Sequence, residues 1–215
     1  MMWNRIPKET SIAPSTGRYP DWKPQLSVEG YHQCVYCCIS ENSFGGIRNF
    51  HVEHYKPKGI PRFAHLEQDY FNLYYACAIC NSFKSDDWPN DPDSDFQCCS
   101  YPEPSRVNYK VLFEIHPDTG KIEGKNIAGT YIVNKLFLNR AQLIIERKVR
   151  FIEYRYKATM DKLSQQKEVL FSLAKNGNRE ALEILEELDK RISALQEVFH
   201  LKDTTRPYVA VQIKK

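Results

Sequence analysis

Between positions 34 and 84 the chain reads CVYCCISENSFGGIRNFHVEHYKPKGIPRFAHLEQDYFNLYYACAICNSFK, a segment bounded by two Cys-x-x-Cys pairs. Cys34 and Cys37 form the first pair, Cys77 and Cys80 the second, with 39 residues between them. Zn2+ prefers four thiolates in a tetrahedron, and a two-residue gap lets one knuckle present both sulfurs to one ion. The alternative is a set of buried or redox-active thiols, which two pairs of equal spacing disfavour. Four thiolates leave no open coordination position, so the predicted role of the zinc is structural. Cys38 offers a second register in place of Cys37. Cys98 and Cys99 are read as unliganded, with an alternative pairing left open.

The looped-out segment carries His51-Val52-Glu53-His54 and then Asn72, and the second knuckle runs directly into Asn81 and Lys84. Alternation of Phe50, Val52 and His54 predicts a short strand, with Glu53 on the face opposite His54. If the chain turns helical at the second knuckle, Asn81 and Lys84 lie three apart and share a face. The region therefore offers a base, an acidic oxygen ligand, an amide oxygen and a cation. Hydrolysis of a phosphodiester at a single hard metal needs those four.

In this order, CVYC (34–37), EHYKPK (53–58), NL (72–73) and CAICNSFK (77–84) resemble the HNH endonucleases, with their ββα-metal fold and flanking zinc knuckle. The resemblance covers about a quarter of the chain. It implies that His54 is the general base and that Glu53, where the family usually has Asp, coordinates a catalytic divalent ion. Asn72 would brace the loop and orient the base, Asn81 would be the second protein ligand, and Lys84 would lie near the scissile phosphate. Asn81 stands where many members have His, which shifts the preferred ion toward Mg2+ or Mn2+. An ordinary imidazole pKa of about 6.5 suits His54 to proton abstraction at neutral pH. The implied products carry 5′-phosphate and 3′-hydroxyl ends.

Composition agrees with a folded chain: 42% hydrophobic and 13% aromatic among 215 residues. Neither an apolar run long enough for a membrane helix nor an N-terminal secretory signal is evident, so a cytoplasmic protein is expected. Seven cysteines in a reducing compartment favour metal ligation over disulfides. Charge is uneven. Residues 1–100 hold 9 Lys/Arg and 12 Asp/Glu, and the remaining residues 21 and 15. The excess gathers between Lys135 and Lys175, with 10 basic against 4 acidic residues, a face that could collect phosphates or simply be solvated.

Around the module, residues 1–30 read as an irregular arm with isolated aromatics at Trp3, Tyr19 and Trp22. Residues 31–105 form the nuclease module, ending in a polar, Pro-rich loop over 86–104. Residues 106–215 begin with a hairpin: a strand over Asn108–His116, the turn Pro117-Asp118-Thr119-Gly120, and a second strand near Lys121–Glu123. Beyond it, Ile132, Leu136, Leu143, Ile144 and Val149 recur at helical spacing, continuing through Leu163, Leu170 and Leu173. Asn176-Gly177-Asn178 stops one helix and caps the next. Leu185, Leu188, Ile192, Leu195 and Phe199 then form an apolar seam that suits an antiparallel helical hairpin, the preferred reading, or a face for another subunit. Arg206-Pro207-Tyr208 ends the helices in an extended tail. The expected fold is α+β: a small ββα-metal module with zinc, a β-hairpin insert, and a C-terminal helical hairpin or bundle.

Lys56, Lys58 and Arg62 are candidate phosphate contacts, and His51 a candidate metal, phosphate or structural residue. The acidic run Asp86–Asp95 lacks calcium-loop spacing and reads as a solvated loop. Three functions compete: a DNA nuclease (RNA left open), such as the effector of an antiphage or restriction system; a zinc-knuckle module that binds nucleic acid or protein without catalysis; and a nuclease subunit gated by a partner NTPase or sensor. The His54, Glu53, Asn72 and Asn81 set favours catalysis, because a pure binder has no reason to assemble it.

Overall fold

The computed structural model describes residues 3–204, with side chains to 199. The architecture is α+β, with two small antiparallel hairpin sheets among helices. Contacts divide the chain inside its longest helix, into a unit reaching Lys148 and one beginning at Val149.

In the first unit, strand β1 (Phe50–His54) pairs with β2 (Leu73–Cys77), and helix α2 (Ala78–Lys84) follows at once. The register sets Phe50 opposite Cys77 and His54 opposite Leu73. All five residues of β2 are buried, and its two tyrosines and Leu73 suit a pleated surface covered on both faces. Phe50 stacks flat on Tyr75 with ring centroids 4.6 Å apart. Helix α2 starts where the thiol of Cys77 accepts from the Cys80 amide, so the second knuckle is also the helix N-cap. It stops at Ser85, whose φ of 45° breaks the helical run.

The hairpin insert is shorter than the sequence suggested. Only Phe113–Ile115 forms β3, paired with β4 (Ile122–Gly124). The Asn108 side chain accepts from the Lys110 amide and winds Tyr109–Val111 into a 3-10 turn, removing them from the strand. Gly124 is dictated by a close approach: a Cβ there would lie 2.1 Å from the Thr130 amide nitrogen. The N-terminal arm also departs from expectation. Lys23–Glu29 is a helix, α1, with Pro24 in its first turn, where a missing N–H costs nothing. Trp3 and Ile6 are buried in the same core as the knuckle and the insert, Trp3 lying 5.0 Å from the Phe113 ring.

The helical run beginning near Ile132 is interrupted. Helix α3 (Ile127–Lys135) ends at Leu136, Phe137 takes a φ of 48°, and α4 (Ala141–Lys175) starts afresh. Arg147, 1% exposed, fixes the start of α4 by donating to the carbonyls of Gly120 (2.5 Å) and Leu138 (2.7 Å).

In the second unit, α4 turns at Gly177 (φ 89°), and Asn178 caps α5 (Arg179–Thr204) by accepting from the Ala181 amide at 3.0 Å. The two helices form the antiparallel hairpin expected from the seam. Leu188 is buried, Leu185 and Ile192 half-buried, and Phe199 stacks on Tyr156 at 3.9 Å, while Leu195 is exposed. Lys167 pairs with Asp189 at 2.7 Å. Positions 206–208, expected to end the helices, lie outside the described residues. Among those described, no helix is long and apolar enough to cross a membrane.

Candidate active site and metal centre

Strand β1 borders an open cleft of about 520 Å³. His51, Glu53 and His54 line it from the strand, Asn81, Ser85 and Asp86 from α2 and the turn after it, Lys23 from the start of α1, and Tyr19, Arg48 and Lys58 from the surrounding segments.

The ring of His54 is held in a defined state. Its Nε2 lies 3.0 Å from the carbonyl oxygen of Glu67. A carbonyl can only accept, so Nε2 carries the proton and Nδ1 keeps its lone pair in the neutral ring. Burial lowers the imidazole pKa below its ordinary value; the bond to Glu67 opposes that shift and the charge of Lys58 adds to it. Around the ring runs a closed set of contacts. The Glu67 carboxylate pairs with Lys58 at 2.6 Å, Lys58 donates to the Tyr19 hydroxyl at 2.8 Å, and the Tyr19 ring meets His54 edge-on at 4.8 Å.

The side chain of Asn72 bonds to the loop backbone and not to the His54 ring. Its Oδ1 accepts from the Lys56 amide (2.8 Å), and its Nδ2 donates to the carbonyls of Lys56 (3.0 Å) and Leu66 (3.3 Å). The asparagine thereby cross-braces the loop between β1 and β2 and holds the chain one residue before the Glu67 carbonyl.

Glu53 is 3% exposed, and its Oε1 receives both available donors, Lys84 Nζ at 2.7 Å and the Tyr36 hydroxyl at 3.1 Å. Since Glu53 lines the cleft, Oε2 is the oxygen left for a cation. Burial raises the Glu53 pKa, against the opposing pull of Lys84 and Tyr36. Lys84 is wholly buried; besides Glu53 it donates to the His54 carbonyl at 3.0 Å. A lysine in that position cannot reach a phosphate in the cleft, so a place beside the scissile phosphate does not fit it. Its ammonium instead lies beneath the site, paired with the buried Glu53 carboxylate at the cleft floor. Glu53 and Asn81 both line the cleft, and a carboxylate and an amide oxygen are donor types that suit a hard cation.

Cys34, Cys37, Cys77 and Cys80 form one buried cluster with all four sulfurs within 4.8 Å of one another. Sulfurs about 2.3 Å from a central ion in a tetrahedron would be about 3.8 Å apart, and Cys37 Sγ lies 3.8 Å from Cys77 Sγ. The four cysteines thus make a cluster of metal-binding dimensions. Cys37, not Cys38, completes it. Cys38 points elsewhere from a backbone φ of 57°, and Cys98 and Cys99 stand outside the cluster.

Of the basic residues singled out beside the motif, Lys58 alone lines the cleft. Lys56 lies over the Phe63 ring, and Arg62 packs on the same ring while facing Asp91 at 3.6 Å. His51 is exposed at the cleft wall. The loop after α2 is less solvated than its acidity suggests: Asp87 accepts from the hydroxyls of Tyr101 (2.7 Å) and Tyr131 (2.5 Å), and Trp88 is buried. Tyr19, Tyr36, Glu67 and Arg140 belong to these sites without any local motif to mark them. Compared with protein-family models, curated proteins and solved structures, the chain matches none of them.

Proposed function

We propose that the chain is a metal-dependent endonuclease of the HNH type, hydrolysing phosphodiester bonds in DNA. The observation that carries this reading is the state of His54: a ring with its proton fixed on Nε2 by a backbone carbonyl and its pKa lowered, lining the same open cleft as Glu53 and Asn81.

Nδ1 of neutral His54 takes a proton from water, and the water oxygen attacks phosphorus in line. The bond from phosphorus to the 3′ oxygen breaks, and that oxygen takes a proton from solvent, leaving 5′-phosphate and 3′-hydroxyl ends. Glu53 and Asn81 are the residues that would hold a divalent cation, Mg2+ or Mn2+, which would supply positive charge to stabilise the transition state. Lys84 and Tyr36 hold Glu53 in place by its far oxygen. Asn72 keeps the Glu67 carbonyl where His54 needs it. Lys23 and Arg48 at the cleft wall are the cations offered to neighbouring phosphates, while Lys58 is engaged by Glu67.

The cysteine cluster is read as a structural zinc centre, its donor set closed to substrate. A second feature favours a nuclease that works with a protein partner, such as an NTPase or sensor in an antiphage or restriction system. Ile152, Tyr154, Val169, Phe171, Ile184 and Val198 are exposed on the helical hairpin, which buries few of its own side chains. Incubation of the full chain with plasmid DNA and Mg2+ or Mn2+ tests the activity. Nicked or linear product that DNA ligase can reseal, abolished by EDTA, is the expected result. Intact plasmid, or ends that ligase cannot join, contradicts it.

A further inference from the structure

Arg140 lies outside every motif used above, yet its guanidinium touches three of the four clustered sulfurs. Nη2 is 3.7 Å from Cys37 Sγ, 3.8 Å from Cys77 Sγ and 3.6 Å from Cys80 Sγ. Nη1 donates the other way, to the carbonyls of Leu136 (3.1 Å) and Phe137 (3.4 Å), just past the end of α3. Its Nε is buried without a hydrogen-bond partner.

Burying part of a guanidinium over neutral thiols would desolvate a charge for weak acceptors in return. Over thiolates the same placement is favourable, because N–H donors to an ionised acceptor make stronger bonds. Four thiolates around one divalent ion carry a net charge of −2 inside a buried site, and a fixed guanidinium brings the group to −1. We propose that Arg140 is the charge partner of a tetrathiolate zinc centre, making zinc retention and the seating of the α3–α4 junction one event. The inference rests on the zinc reading of the cluster and not on nuclease activity. The plain alternative is that Arg140 only caps the last carbonyls of α3, as basic residues near helix C-termini do. A cap would affect thermal stability and leave metal retention alone.

The test uses the full chain loaded with zinc, in wild-type, Arg140→Lys and Arg140→Gln forms. Zinc content is measured first, then the rate of zinc release to excess chelator and the zinc affinity by competition, with a thermal melt of each loaded form alongside. Outer-sphere partners of metal ligands are worth about 10- to 100-fold in affinity. Arg140→Gln is expected to lose zinc affinity within that range and to release the ion faster, with Arg140→Lys between it and wild type because the charge stays and the fork is lost. Wild-type affinity and release in both variants, even with a lowered melting temperature, overturns the proposal. If Arg140→Gln does not fold, Arg140→Lys decides alone, and a wild-type release rate there overturns it. Wild-type protein that takes up no zinc removes the zinc reading and this inference together, whereas absent DNA cleavage with zinc retained touches neither.

Discussion

The Nε2 proton of His54 goes to a carbonyl that Asn72 and the Lys58–Glu67 pair hold from two sides. Removing the charge of Lys58 takes away one of the influences that keep the His54 pKa low and leaves the Glu67 carboxylate unneutralised nearby. Both changes favour imidazolium. Lys58→Met is therefore expected to move the acid limb of the pH–rate profile to higher pH, from a wild-type position below about 6.5; an unmoved or lowered limb contradicts that placement of His54. The sign for stability follows from the same shift. Because the folded-state value lies below the unfolded one, the unfolded chain takes up this proton first, and stability falls as pH drops through about 6.5. Glu53 and Lys84 call for a different experiment. Lys84→Met leaves a buried carboxylate without its cation, expected to cost about 3–5 kcal/mol in chemical denaturation, and adding Glu53→Gln should recover part of that loss. A single variant as stable as wild type would mean that the pair is not buried as described. Part of this is legible in the residue order: His54, Glu53 and Asn81, singled out by their spacing, line one cleft. What could not be read was direction. A lysine three residues after Asn81 looks like a cleft residue until α2 turns it inward onto Glu53. Tyr19 and Glu67 reach His54 only through the loop's path, which leaves no trace in spacing.

At the level of elements, local signals succeeded where one side chain dictates backbone. Gly177 and Asn178 end one helix and start the next, and Asn178→Ala is expected to lower the stability of the hairpin by about 1 kcal/mol, read as a loss of helicity on heating. An unchanged melt would show that the cap contributes nothing there. Gly124 shows the opposite case, a residue whose necessity comes from another element. With α3 approaching so closely, Gly124→Ala must push Thr130 aside, and an overpacking loss of about 1–3 kcal/mol is expected in denaturant titration. Apolar periodicity does not reveal the break between α3 and α4, because Ile132, Leu136 and Leu143 are all buried and keep the pattern running across it. The break comes from the backbone at Phe137 and from Arg140 bonding back to the last carbonyls of α3. The strand at 108–116 was overextended for a similar reason, since β-favouring residues follow an asparagine that turns the chain.

For the whole molecule, arm, knuckle, insert and α3 share one core, with the cysteine cluster inside it. The long separation of the two knuckles is explained by β1, the braced loop and β2, which leave from one Cys-x-x-Cys pair and return to the other. If that cluster holds zinc, its removal takes away an organising centre of the first unit and not a peripheral ornament. The helical hairpin is a separate unit, with a narrow seam around Leu188 and several large apolar side chains exposed. The reach of the nuclease reading over the whole chain is decided by comparing plasmid cleavage by wild type and His54→Ala in Mg2+ or Mn2+, at matched zinc content. A rate loss of about 100-fold or more in the variant, with zinc retained and the fold intact, is the predicted result. Undiminished metal-dependent cleavage by folded His54→Ala would contradict the account at its centre.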